Sequence, residues 1–591
     1  MKKSIGILLS GLFVLGTVSC SNENSSSSLS SEELSQKSVS VYLNSLDKTT
    51  SVNLHFHDKD EQIPYIEMDD AFRIRKALFD SGTTYETPNK STYEISRDGS
   101  QYTVTINKRG TATFDIENQT LTIPNLGLVQ AYSYNDTPYD ILCMDSSSSS
   151  IHYVTHQKNG DSLRAYAYMG NEMVISLKEY SIPVYEKDNK AYIPLDLFNN
   201  FFLSYTYNNF VYNGDAIFTF TGLGDPSEEY LNNFYFCSNA KKKRSKELAE
   251  FSYNSLMLNL NYQYGLKERH SFGDFRKEFK DLGLEDSLKS TDEKEYMSAI
   301  FKFIYNAFGD AHCSFQRRSP YSTANIYDEV RASAKSYVNI GYAEFVKSLT
   351  ENETFRSSAA EANPDYGKCY YEDGDTAYVR FDSFSTLSEV PDYYQNAPTG
   401  NETDLFGVII YANKKIKENS AIKNVVIDMA TNRGGEEPSL IFALGWLLGN
   451  DTRICLKNPV TNCASTIYYN ADVNLDGKYD ITNDTLEGYN KFILTSHSSF
   501  SCGNAFPCLA KASEKVKIIG QTSAGGACQV FPLITTDGTV FNISGGGVLC
   551  TEKNSHYKDI DDGATPDFTI TETTNIFDRA YTTKVVHSLV L

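Results

Sequence analysis

The rhythm of apolar and polar residues changes several times along the chain. The sequence opens on MKK and one short apolar block, IGILLSGLFVLG, and a polar, serine-rich stretch follows, SNENSSSSLSSEELSQKS. From about 50 to 225, short alternating runs such as STYEIS, QYTVTIN, TATFDI and QTLTI predict strands joined by tight turns. Beyond 240 the period lengthens. KELAEFSYNSLMLNLNYQYGL and DEKEYMSAIFKFIYNAF repeat apolar residues at helical spacing and predict a helical part over 245–320. From 365 to 575 strands and helices alternate: TAYVRF, FGVIIYANKKIKE, NVVIDM, LIFALGWLLG, KFILTS, NAFPCLAKASEK, VKIIG. Such alternation predicts an α/β core. The fold class expected is α+β, with a β-rich domain at 46–240 and a second domain at 241–591.

The opening block is shorter than the ~20 apolar residues of a membrane span. With its basic start it reads as a signal segment, residues 1–20. It ends in TVSC, which resembles a bacterial lipoprotein cleavage box, with Thr17 where that box usually has Leu. On this reading Cys20 is lipidated and anchors the chain to a membrane. Residues 21–45 are a tether, disordered by composition. A formal net charge of -21 argues against a phosphate-backbone partner, so no nucleic acid is expected. The one basic run, Lys241 to Arg244, reads as a solvated loop. The eleven cysteines have irregular spacing and no CxxC pair, which gives no zinc pattern. Cys313 and Cys502 read as fillers of small buried slots.

Four segments carry candidate chemistry. In KFILTSHSSFSCGNAFPCLAKASEK a strand ends near Ser496 and a helix starts just after Ser501. Free N–H groups of the first helical turn gather at such a corner, and the dipole favours negative charge there. Ser501 is therefore a candidate nucleophile, with the Cys502 N–H as an oxyanion donor. Taken alone, the segment favours the plainer reading of Ser501 as an N-cap. In NVVIDMATNRGG, Gly434 and Gly435 allow close backbone approach and are placed to give a second donor. In FGDAHCSF, His312 follows a helix at a loop and is the candidate base, ahead of His497 and His556. In KDIDDGATPDFTI, Asp559, Asp561 and Asp562 precede a glycine turn, and one of them can orient the base.

In this order, IDMATNRGG, SFSCGNAF, IIGQTSAGG and GATPD resemble the motifs of the tail-specific, C-terminal-processing serine peptidases. The resemblance covers about 245–575 and implies a tricorn-core, crotonase-like peptidase domain. The processing branch uses a Ser–Lys pair, but Gly526 falls where its Lys stands. The tricorn-like branch uses a His from the helical segment, which DAH at 310–312 matches. The resemblance thus implies Ser501 as nucleophile, His312 as base and Asp562 as its partner, with Asp559 and Asp561 close behind. Ala311, Ala430 and Arg433 depart from the family pattern, and the interval after His312 is too short for a PDZ domain. A second likeness lies upstream. EQIPYIEMDDAFRIRKALF and NKAYIPLDLFNNFF resemble the two halves of the small N-terminal domain of copper amine oxidases.

ADVNLDGKYDITND places Asp472, Asn474, Asp476, Gly477 and Asp480 at EF-hand-like positions. Oxygen ligands at that spacing suit a structural calcium. Asn483 at the twelfth position and the absence of flanking helices fit a hairpin loop of Asx turns as well. No cofactor is required by the expected reaction. The function expected is peptide-bond hydrolysis at a cell envelope, on protein or peptide substrates. The alternative is an inactive surface carrier of peptides or hydrophobic ligands on the same fold.

Overall fold

The computed structural model describes residues 35–43, 49–80, 92–130, 137–144, 153–221, 235–236, 243–334, 340–385 and 390–590. The signal segment, Cys20 and the first part of the tether lie outside them. Ser35–Tyr42 is a strand, although it falls inside the stretch read as tether. Its serines hid an alternation in which Val39 and Val41 are buried and Ser38 and Ser40 are exposed. The strand pairs antiparallel with Thr49–Phe56, Val39 opposite Val52.

These two strands belong to a seven-stranded sheet. Its order is Tyr185–Lys187, Lys190–Pro194, Tyr65–Glu67, Thr49–Phe56, Ser35–Tyr42, Ile217–Thr221, Asn208–Tyr212. The two echoing segments become matching strand–helix units. Tyr65–Glu67 leads into the helix Met68–Asp80, and Lys190–Pro194 leads into Leu195–Phe202. Their strands pair directly, Ile193 opposite Ile66. A five-stranded antiparallel meander runs from Tyr93–Asp98 to Met173–Ser176.

Two strands from this half leave it. Val154–His156 and Ala165–Tyr168 both pair with Ala464–Ala471. They extend an antiparallel sheet that also holds Arg453–Lys457, Val540–Lys553 and Ser314–Arg317. The halves are fastened again by Asn200, whose side chain bonds both the N–H and the carbonyl of Ile534. Arg244, read as part of a solvated run, is instead buried. It pairs with the fully buried Asp537 at 3.2 Å and lies 3.6 Å from the Tyr296 ring centroid.

The helical part starts at Lys246–Gln263, capped by Ser245, whose hydroxyl accepts the Leu248 N–H at 3.1 Å. Glu293–Lys302, capped in the same way by Asp292, runs into a π-helical turn, Phe303–Ala307, just before the DAH segment. The α/β core is a six-stranded sheet in the order Tyr370–Asp373, Thr376–Arg380, Asn424–Asp428, Asn490–Thr495, Lys517–Gly520, Phe568–Thr569. All pairs but the first are parallel. Every residue of Asn424–Asp428 is buried, as expected of a parallel strand covered on both faces. Among the described residues no helix is long and apolar enough to cross a membrane.

Candidate active site

The central strands Asn424–Asp428 and Asn490–Thr495 end side by side, and the loops after them form the site. Asp428 closes the first strand. It is fully buried, contacting Arg579 at 2.5 Å and Arg356 at 3.1 Å. Burial alone would raise its carboxyl, but the two guanidiniums hold it far below the usual range. Arg356 sits on the helix Ile340–Ala362, so this pairing fixes that helix over the strand ends. On the same helix Asn352 donates to Ser496 and Ser498 at 2.9 and 2.8 Å.

The second strand is followed by a turn and then by the helix Cys502–Ala512. Ser501 stands between them at φ 57°, ψ -125°. For a residue with a Cβ this conformation costs about 1–3 kcal/mol and persists only where the surroundings enforce it. The surroundings do so. The Ser501 N–H donates to the Gly525 carbonyl at 2.9 Å, and the Phe500 N–H to the Asn432 carbonyl at 3.0 Å. A sharp strand-to-helix turn of this kind presents a serine hydroxyl at the edge of a sheet. Ser501 stands at the N-cap position, as the plainer reading has it, but its side chain makes no capping hydrogen bond.

Glycines make room for this corner. At Gly434, φ +99°, an added Cβ would lie 2.6 Å from the Ser501 Cβ and 2.9 Å from the Cys502 nitrogen. At Gly526, φ +85°, it would lie 2.9 Å from the Ser501 nitrogen and 2.7 Å from the Phe500 ring. The position that holds Lys in the processing branch therefore has no space for any side chain. Among the described residues the Cys502 N–H has no acceptor, and the Gly435 N–H faces the Cys502 thiol. The Gly434 N–H, expected as a donor, is instead committed to Asn432 Oδ1 at 2.9 Å. Gly434 contributes clearance, and Cys502 holds the open donor. The Cys502 thiol is buried and bonds the Gly435 carbonyl at 3.1 Å. Burial, with Glu437 and Glu436 nearby, pushes it well above the ordinary thiol range.

His312 reaches this corner from the helical part. Its ring packs on Phe500, the residue before Ser501, with centroids 4.7 Å apart. Its N–H donates to Asp310 Oδ1 at 2.9 Å, and its Nδ1 lies 3.5 Å from the Ser544 hydroxyl. Burial lowers its pKa below the ordinary histidine value, against the opposing pull of Asp310 and Asp561. His312 and Ser501 are thus brought together, but no hydrogen bond joins them. His497 and His556 are exposed.

The acidic partners separate clearly. Asp562 does not turn to His312; it is held outward by Arg269 at 2.6 Å and Lys558 at 3.5 Å. Asp559 also pairs with Arg269, at 3.3 Å. Asp561 also pairs with Arg269, through Oδ2 at 2.8 Å, but its Oδ1 turns inward and accepts the N–H groups of Gly526 and Ala527 at 2.8 and 3.0 Å. Of the three, Asp561 is the one whose charge acts on His312.

Sequence reasoning missed Ser544 and Phe500. Ser544 had a signal, since the run Gly545–Gly547 inside one long strand marks a place where other groups press close. Gly547, for instance, abuts the Gln529 side chain.

In the Asx loop the carboxylates are occupied. Asp472 accepts the N–H groups of Asp476 and Gly477 and the Tyr394 hydroxyl. Asn474 accepts the Asp476 N–H, Asp476 the Lys478 N–H, and Asp480 the Asn483 N–H. Among the described residues no three His, Cys, Asp or Glu are grouped to hold a metal.

Residues 375–570, which hold the parallel sheet and the strained serine, match the model of peptidase family S41. No curated protein matches the chain. Among solved structures, a lipoprotein from Streptococcus agalactiae is 17% identical with a TM-score of 0.34, over 58% of this chain and 98% of that one. Mature CPAF is 10% identical with a TM-score of 0.36, over 58% and 96%. The photosystem II D1 C-terminal processing protease is 16% identical with a TM-score of 0.25, over 33% and 42%.

Proposed function

We propose that this protein is an exported, lipid-anchored serine peptidase that hydrolyses peptide bonds through Ser501. The observation that carries the reading is the Ser501 corner itself: a strained serine beside the open Cys502 N–H, inside a segment that matches a peptidase family. In the proposed reaction His312 takes the Ser501 proton while the hydroxyl oxygen attacks the carbonyl carbon. The Cys502 and Gly435 N–H groups hold the oxyanion. The Ser544 hydroxyl engages His312 Nδ1, which leaves Nε2 for the serine. Asp310 and Asp561, rather than Asp562, supply the negative charge that steadies the imidazolium. Collapse of the adduct returns the proton to the leaving amine, and water then releases the acyl group.

The MKK start, the apolar block and Cys20 support export and a lipid anchor. The family match weighs for hydrolysis over the carrier reading. Incubation with an unfolded protein such as casein tests the reading. Cleavage by wild type and none by Ser501→Ala is the expected result. Equal cleavage by both proteins would sink the mechanism.

A further inference from the structure

The glycine turn against Ser501 carries one residue that the reaction does not use. Arg433 directly precedes Gly434, it is exposed, and it has no hydrogen bond, ion pair or ring contact among the described residues. Every other arginine has such a partner there. The acids of its own loop do not engage it: Glu437 accepts from Gln529 at 3.1 Å, and Glu436 has another partner. In a chain of net charge -21, an unpaired guanidinium on the residue before the glycine that touches Ser501 is out of keeping with its surroundings.

We infer that Arg433 binds a carboxylate of the substrate next to the scissile bond and so sets the specificity of the site. This rests on the reading of Ser501 as the nucleophile. Neighbouring Cα atoms are about 3.8 Å apart, and an extended peptide advances about 3.3 Å per residue. A residue adjoining the glycine that touches Ser501 therefore addresses substrate positions within about one or two residues of the reacting carbonyl. A guanidinium presents forked donors that match a carboxylate in two parallel hydrogen bonds. On the far side of the glycine pair stand Glu436 and Glu437, which repel the same group, so the loop favours one placement of an acidic substrate. The carboxylate is that of an Asp or Glu side chain or of the substrate's own C-terminus.

Peptide binding in the Ser501→Ala background tests this without turnover, and kcat and KM on the wild-type background complete it. One peptide pair exchanges Asp for Asn beside the cleavage position with the C-terminus amidated. The other has neutral side chains and a free or amidated C-terminus. The charged member of one pair is expected to bind about ten- to a hundredfold tighter, and that pair identifies the source of the carboxylate. Arg433→Gln should abolish the difference through KM, Arg433→Lys should keep part of it, and Arg433→Glu should reverse it, with unchanged unfolding midpoints. The preference should also weaken with added salt. Equal binding of both members of both pairs, or a preference that survives Arg433→Gln, overturns the inference. Arg433-dependent binding by a wild type that cleaves nothing would overturn the peptidase reading and leave the carboxylate site standing.

Discussion

Two loops of this chain look alike as sequence and differ in what they leave undone. The Asx loop around 472–484 and the corner at Ser501 are both polar, and both contain a residue with positive φ, Leu475 and Ser501. In the Asx loop the carboxylates of Asp472, Asp476, Asp480 and Asp484 each accept backbone N–H groups. At the corner the nucleophile caps nothing, and the Cys502 N–H beside it remains without an acceptor. Free N–H groups are ordinary in a helix's first turn, and one that stands beside a strained hydroxyl marks chemistry rather than architecture. The Asx loop uses its acids to hold a turn.

Substitutions can break or sharpen that contrast. The largest effect is expected for Ser501→Ala, which should lower turnover on the order of 10⁴-fold with the fold intact, read by casein cleavage and circular dichroism. Gly434→Ala should follow. Its Cβ would meet the Ser501 Cβ at 2.6 Å and crowd the Cys502 N–H, so kcat should fall by about 10²–10³ with little change in KM. Asp472→Ala should do the opposite. It removes an acceptor of the Gly477 N–H and of the Tyr394 hydroxyl, costing about 1–3 kcal/mol in denaturant unfolding, while kcat stays at the wild-type value.

The smallest effect concerns pH. Burial holds His312 below the ordinary histidine pKa, so its neutral, proton-accepting form persists below pH 6.5. Activity should therefore survive through the usual histidine range and fall only at lower pH. Phe500→Ala uncovers the ring and should move that acid limb upward, toward pH 6.5, in a pH–rate profile. An acid limb that stays in place would remove His312 as the titrating base.

Much of this arrangement was legible in the sequence, because local patterns determine it. The run KFILTS followed by a polar turn and an apolar-periodic segment located the Ser501 corner to within a residue. The continuous apolar run NVVIDM located the buried strand beside it. Three features were not legible, and each depends on packing between distant segments. The inward turn of Asp561 rather than Asp562 follows from the Gly526 and Ala527 N–H groups it accepts, since Arg269, nearly three hundred residues earlier, pairs with all three aspartates. The Gly434 N–H was lost to Asn432, a side-chain bond two residues away that glycine counting does not reveal. Ser544 reaches His312 only because two antiparallel strands, Ser314–Arg317 and Val540–Lys553, bring those segments together. The tether misreading has a different cause: serine content outweighed the two valines that fix the strand.

A fluorophosphonate reacts only with a serine whose hydroxyl is activated and whose oxyanion site is formed. Peptide mapping of the purified protein after such labelling is therefore the most direct test. The account predicts a single adduct on Ser501, lost in Ser501→Ala and strongly slowed in His312→Ala. An unlabelled Ser501, or an adduct on another residue that survives Ser501→Ala, would contradict it.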